Sequence, residues 1–266
     1  LLTCWLACAL GGCRGSQGGS LLDAAFANNP PVDANLASLF PVLDAGSAGY
    51  ALSFDGLKDY ATAADAGFAA AGAPQTVEMW IKYPSVSGTG EQNMFTARLD
   101  DTSGVQIGLR GGALAVWRVY VDRVLVQAPV LPPANSWHHV AYTYDGMTHT
   151  LYVDGLAVDA EVNPADERTP TTVWLGTLDG SRQMYGGLMD EVRVWNVTRS
   201  SAQVAADRQH TAPGPIDGLV AYWTFDDVAS GGRALDASGT GNTVTLGDGV
   251  AEQMPGRVVS DAPVSP

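Results

Sequence analysis

The stretch SWHHVAYTYDGMTHTLYVDG, residues 136–155, holds three of the chain's four histidines, His138, His139 and His149, beside Asp-Gly pairs at Asp145 and Asp154. Imidazole ligates metals and titrates near neutral pH, so these residue types could serve a metal or an acid–base reaction. A two-histidine metal site would lack an obvious third ligand here. No G-x-S-x-G elbow accompanies the histidines, and neither a G-x-x-x-x-G-K-[ST] loop nor H-E-x-x-H occurs.

The chemistry depends on the elements that carry these residues. Each Asp-Gly sits between alternating runs, HVAYTY, MTHTLYV and LAVDA, as in a hairpin with a two-residue turn. Glycine supplies the positive φ such a turn needs and Asp tolerates it. Asp145 and Asp154 are therefore expected to be turn formers rather than acids. His138 and His139, being adjacent on a strand, are expected to point to opposite faces. The same texture runs from Tyr50 onward: YALSF, TVEMWIKY, VQIGLR, ALAVWRVYV, TVWLG and DEVRVWN are short, β-branched and aromatic runs divided by Gly, Pro, Asn and Asp. Such spacing predicts an all-β sandwich or barrel. One helix of about two turns is expected in TRSSAQVAADRQH, capped by Ser200 or Ser201 and ending near His210. No repeat of solenoid or propeller length appears.

Charge and cysteines narrow the partners. With 14 Lys and Arg against 28 Asp and Glu, the chain would be repelled by phosphate backbones, which argues against nucleic-acid binding. All three cysteines, Cys4, Cys8 and Cys13, lie in the first 13 residues, so the body has neither disulfides nor thiolate chemistry. LLTCWLACALGGC is too short to span a bilayer and has the texture of a secretory signal. Its LGGC resembles a bacterial lipobox, with Cys13 as the lipidated residue. The expected organisation is a signal over residues 1–13, a flexible tether over 14–46 and one globular domain over 47–262. Such a tether has a reach of about 30 Å. The expected location is therefore the bacterial cell envelope, on an outer-membrane lipoprotein held by its lipid anchor.

From Tyr50 to Asp227 the sequence resembles LamG-like domains of the concanavalin A-like lectin/glucanase superfamily. The blocks ALSFDGLKDYA, TVEMWIKY, SWHHVAYTYDG with TLYVDG, VWLGTLDG, YGGLMDEVRVWNVTRS, and DGLVAYWTFDD with DASGTGN occur in family order. The resemblance implies a two-sheet antiparallel jelly-roll sandwich, with His139 a structural residue at a strand start. Glucanases of this fold carry E-x-D-x-x-E on one strand. Here MDEVRVW offers only Asp190 and Glu191, which a regular strand would turn to opposite faces, so no enzyme is expected and a glycoside hydrolase ranks last.

The resemblance also implies one structural calcium, with Asp190, Asp226, Asp236 and Asp55 as candidate ligands and Asp227 beside them. DASGTG mimics the start of an EF-hand loop, but Gly247 stands where the twelfth-position Glu belongs. Trp80, Trp137, Trp195 and Trp223 sit in family blocks and are expected in the core. Sugar stacking would need exposed aromatics. Trp174 is one candidate, because Val173 and Leu175 share the opposite face. Trp117, Tyr120 and Tyr185 are the others. The expected function is a surface-anchored binding module for a glycan or a surface protein, with a purely structural or adhesive role as the alternative.

Overall fold

Period-two alternation separates a core face from an outer face on most strands. The computed structural model describes residues 49–64, 72–84, 90–100, 103–118, 123–163, 169–211, 214–228 and 231–265. Cys13, the tether and Tyr120 lie outside the described residues.

In chain order the strands are β1 (Tyr50–Asp55), β2 (Ala61–Ala64), β3 (Gln75–Lys82), β4 (Gln92–Asp100), β5 (Ser103–Arg110) and β6 (Ala113–Arg118). There follow β7 (Val124–Gln127), β8 (His138–Tyr144), β9 (Thr148–Val153), β10 (Leu156–Val162), β11 (Thr172–Leu175) and β12 (Gly186–Trp195). After helix α1 (Ser201–Asp207) come β13 (Leu219–Trp223), β14 (Arg233–Ala234), β15 (Val244–Leu246) and β16 (Gly256–Val259). Sheet one has the order β10-β9-β8-β3-β12-β1-β16, with β13 also paired to β12. Sheet two has the order β14-β15-β2-β11-β4-β5-β6-β7. The pairs are antiparallel and the sheets form a sandwich, as the family resemblance implies.

The core lies between them. Val77, Met79 and Ile81 of β3 meet a layer that includes Phe95, Ile107, Val116 and Leu175 from sheet two. Emptying one of these positions would cost about 2–5 kcal/mol. Sheet one is also covered on its other face. Trp80 packs with Ala51, Trp137, Ala262 and Val264, and its indole N–H donates to the Arg208 carbonyl. Helix α1 lays Val204 onto Ala141 and Tyr152.

Ser200 caps this helix. Its hydroxyl accepts from Gln203 N, and the Gln203 side chain accepts from Ser200 N, a reciprocal capping box. The helix ends at Asp207, three residues before His210. The two Asp-Gly turns differ. At Asp154 and Gly155 both φ angles are positive, 52° and 83°, as the two-residue primed turn requires. At Asp145 the loop spans three residues between β8 and β9, and the carboxylate itself holds it by accepting from Met147 N and Thr148 N. A two-residue turn was expected there; an Asx turn replaces it.

Candidate functional site

None of the three opening histidines faces an open site. His138 is buried, with Nδ1 2.9 Å from Asp154 Oδ2 and Nε2 3.0 Å from the Pro133 carbonyl. Asp154 is thus a turn former whose carboxylate also accepts from His139 N. His139 points to the opposite face, as the strand period requires, with Nε2 3.4 Å from the buried Glu78. Burial pushes the Glu78 carboxyl up, but facing His139, Arg193 and Arg199 bring it below the usual carboxylate range. His149 donates from Nε2 to the Asn163 carbonyl and accepts from the Tyr142 hydroxyl at Nδ1, with Tyr144 stacked 4.5 Å away. Burial lowers its pKa to about 4, so it is neutral at physiological pH.

The acidic residues separate into caps and a pocket. Asp55 accepts from the backbone N–H of Leu57, Lys58 and Asp59. Asp236 accepts from Tyr222 N, Ser238 N, Gly241 N and Asn242 N and from the Ser238 and Thr240 hydroxyls. Burial opposes ionisation at both, yet these donors hold both below the usual carboxylate range. Both are loop-organising carboxylates, and neither lines the pocket that holds Asp190 and Asp226, so the four candidate calcium ligands do not form one cluster. Asp227 accepts from Leu235 N.

Asp190 and Asp226 do share a pocket. It has a volume of about 300 Å³ and is lined also by Glu191, Tyr50, Ser260 and Ala262. The regular-strand expectation for Asp190 and Glu191 fails for a local reason. β12 carries a bulge against β3: Asp190 pairs with Trp80 and Arg193 with Glu78, so Glu191 and Val192 together oppose Met79. Glu191 takes φ 53°, which keeps it on the same side as Asp190. Asp190 accepts from Glu191 N and the Ser260 hydroxyl. Burial, reinforced by the Glu191 charge, pushes its carboxyl well above the usual range. Glu191 is also raised by burial, against the charge of Arg193 and the hydroxyl of Tyr222.

This donor set suits a hard cation in its chemistry. Gly49 helps, since a Cβ there would lie 2.5 Å from Asp226 Oδ1. Among the described residues, however, no three His, Cys, Asp or Glu side chains stand in metal-ligating geometry. An ion here would have to complete its shell with backbone carbonyls and water.

The aromatic candidates fall into three environments. Tyr185 is fully buried, packs on Phe54 and donates to the Leu188 carbonyl; it is a core residue and is removed from the ligand-binding set. Trp117 shares the outer face of sheet two with Trp174, because the register runs Thr62–Trp174–Thr96–Gln106–Trp117 across β2, β11, β4, β5 and β6. Three strand spacings, about 14 Å, separate the two backbone positions. Trp117 is only 1% exposed and lies under the Arg110 guanidinium, so it too is corrected to a buried residue. Trp80, Trp137, Trp195 and Trp223 are buried as expected.

Trp174 is half-buried, with Val173 and Leu175 beneath it in the core. Its ring lies 5.6 Å from that of Tyr60 at 48°. Gly180 closes its edge, where a Cβ would come within 3.1 Å of the indole. The indole N–H has no hydrogen-bond partner among the described residues. Around it the sequence reading missed four residues. Thr62 donates to Asp248 Oδ1 at 2.9 Å, and the Tyr60 hydroxyl stands 3.2 Å from Asp248 Oδ2 and 3.1 Å from Gln253 Oε1. Asp248 and Gln253 lie more than 180 residues from Tyr60, and the β15–β2 pairing with the backbone bonds of Tyr60 to Gly247 and Gln253 brings them together.

The architecture and its outer-face aromatic define an antiparallel jelly-roll sandwich. The chain belongs to the concanavalin A-like lectin/glucanase superfamily, whose Laminin_G_3 family model matches residues 54–205. No curated protein matches it. Among solved structures, a candidate carbohydrate-binding protein from Bacteroides ovatus is 20% identical, with TM-score 0.64 over 84% of this chain and 62% of that one. The chain therefore spans less than two thirds of that protein. The native heptameric SAP-like pentraxin from Limulus polyphemus is 16% identical, with TM-score 0.51 over 78% of this chain and 96% of that one. These likenesses show the fold.

Proposed function

We propose that this protein is a non-catalytic carbohydrate-binding module whose site is centred on Trp174. The observation that carries the reading is a half-buried outer-face indole whose N–H has no hydrogen-bond partner among the described residues, flanked by Tyr60 with Asp248 and Gln253 in reach of its hydroxyl. An aromatic face stacks on sugar C–H groups, and nearby polar groups fix orientation. The shared fold with the Bacteroides ovatus protein supports the reading. Carboxylates on β12 do not argue for hydrolysis, since Asp190 and Glu191 are engaged by Ser260, Arg193 and Tyr222.

On a glycan array the wild type should bind at least one oligosaccharide, and Trp174→Ala should weaken that binding about 30-fold. Undiminished binding by Trp174→Ala would remove the site. Absence of glycan binding, together with a protein partner that co-purifies, would favour the adhesive role instead. Turnover of a polysaccharide would overturn the non-catalytic reading.

Two accessory features belong to the same proposal. A structural calcium sits at Asp190 and Asp226 with Glu191 beside them, an assignment supported by the three carboxylates that line one pocket, where burial and like charge raise Asp190 and Glu191. Cys13 carries a lipid that tethers the sandwich to the cell surface, supported by LGGC and the cysteine-free body.

A further inference from the structure

We propose that the Trp174 site selects neutral, hydroxyl-rich sugars and rejects acidic ones, with Asp248 as the specificity-determining residue. This deepens the carbohydrate-binding reading and rests on it.

Asp248 is exposed and sits at φ 48° between Gly247 and Gly249, in the 3-10 turn that follows β15. Both of its oxygens are tied from the protein side, Oδ1 by the Thr62 hydroxyl and Oδ2 by the Tyr60 hydroxyl. Thr62 is paired in register with Trp174, and the Tyr60 ring packs against the indole. The carboxylate is therefore fixed next to the stacking surface. A carboxylate has about four acceptor positions and no donor. Two are filled here, which leaves the outward ones for a ligand that brings protons.

Gln253 adds to the demand. The single phenolic proton of Tyr60 cannot serve both Asp248 Oδ2 and Gln253 Oε1, although both lie within reach. Burial, then the charge and hydrogen bond of Asp248, raise the Tyr60 pKa, so Tyr60 remains a protonated donor. The Gln253 amide therefore keeps hydrogen-bonding capacity, through its oxygen or its NH2, for an incoming hydroxyl. A sugar stacked on Trp174 with two adjacent hydroxyls toward Asp248 and Gln253 meets that demand.

A uronate or sulfate in the same pose would place its negative charge against Asp248. On the far side of the indole, Arg98 and Arg182 both turn toward Asp179. Asp179 offsets part of their charge.

The experiment compares neutral oligosaccharides with uronate-containing oligosaccharides of the same length, by titration calorimetry, on wild type, Asp248→Asn and Trp174→Ala. Asn tolerates the left-handed backbone of residue 248 and keeps one of the two acceptors, so Asp248→Asn should fold, with a melting temperature lowered by no more than about 5 °C. We expect wild type to bind the neutral series at least about tenfold more tightly than the acidic one. Asp248→Asn should lose about tenfold toward neutral sugars, the worth of a charged hydrogen bond, and narrow the gap to acidic ones. Equal or tighter binding of uronates by wild type, or an unchanged preference in Asp248→Asn, overturns the specificity while leaving the Trp174 site standing. Neutral-sugar binding that Trp174→Ala does not weaken, or no sugar binding at all, overturns the underlying reading and this inference with it.

Discussion

At the scale of single residues, burial changes what a carboxylate means. Asp55 and Asp236 look like Asp190 in the sequence, yet the first two are held ionised by backbone donors and the third is pushed toward its neutral form. The sign of the consequence follows from linkage. A carboxyl whose folded pKa lies above its unfolded value of about 3.9 opposes folding once ionised, and that cost fades as pH falls through the folded pKa toward the unfolded one. In chelator-treated protein, the urea midpoint of wild type should therefore gain on that of Asp190→Asn between pH 7.5 and about pH 4.5. Calcium should reverse the sign, because an ion bound to Asp190 holds it ionised and protons compete with the ion. Calcium at about 100 times its Kd should also stabilise wild type by about 2.7 kcal/mol at neutral pH and leave Asp190→Asn unmoved. A midpoint that ignores calcium in wild type would remove the ion from the proposal.

At the scale of elements, local signals were readable wherever local chemistry decides the outcome. The helix start was legible because Ser200 and Gln203 satisfy each other's backbone donors within one turn. Ser200→Ala should accordingly cost about 1 kcal/mol of stability in urea denaturation. No loss in that variant would mean the helix is held by its contacts through Val204 and Arg199 alone. The Asp154–Gly155 turn was legible for the same reason. The Asp145 loop was not, since an Asp side chain that caps two backbone donors competes with the primed turn and the sequence does not say which prevails. The β12 bulge was also hidden. Glu191 at positive φ is a conformation its residue type disfavours, and it persists because Arg193, Tyr222 and the register with β3 surround it. Backbone strain of this kind concentrates at functional positions, which is consistent with the pocket it builds.

At the scale of the whole molecule, the sandwich extends past the residues that match the family model. β13 pairs with β12, β15 with β2 and β16 with β1, so residues after 205 complete both sheets. The same strands deliver Asp226 to the acidic pocket and Asp248 to Trp174. Surface attachment also belongs to this scale: Cys13→Ser should move the protein from the detergent phase to the aqueous phase, and an unchanged partition would remove the anchor.

The sequence by itself determined the all-β class, the capped helix, the turn at Asp154 and the core-against-surface side of Trp174, because each follows from spacing over a few residues; the choice of sandwich over barrel came from the family resemblance. It also placed Asp190 and Trp174 among the candidates. Tertiary structure alone decided that Trp117 and Tyr185 are buried, that Asp55 and Asp236 organise their own loops away from the Asp190 pocket, and that Asp248 stands beside Trp174. Those outcomes depend on which strands pair and what covers each face, contacts that span much of the chain and leave no periodic trace in it.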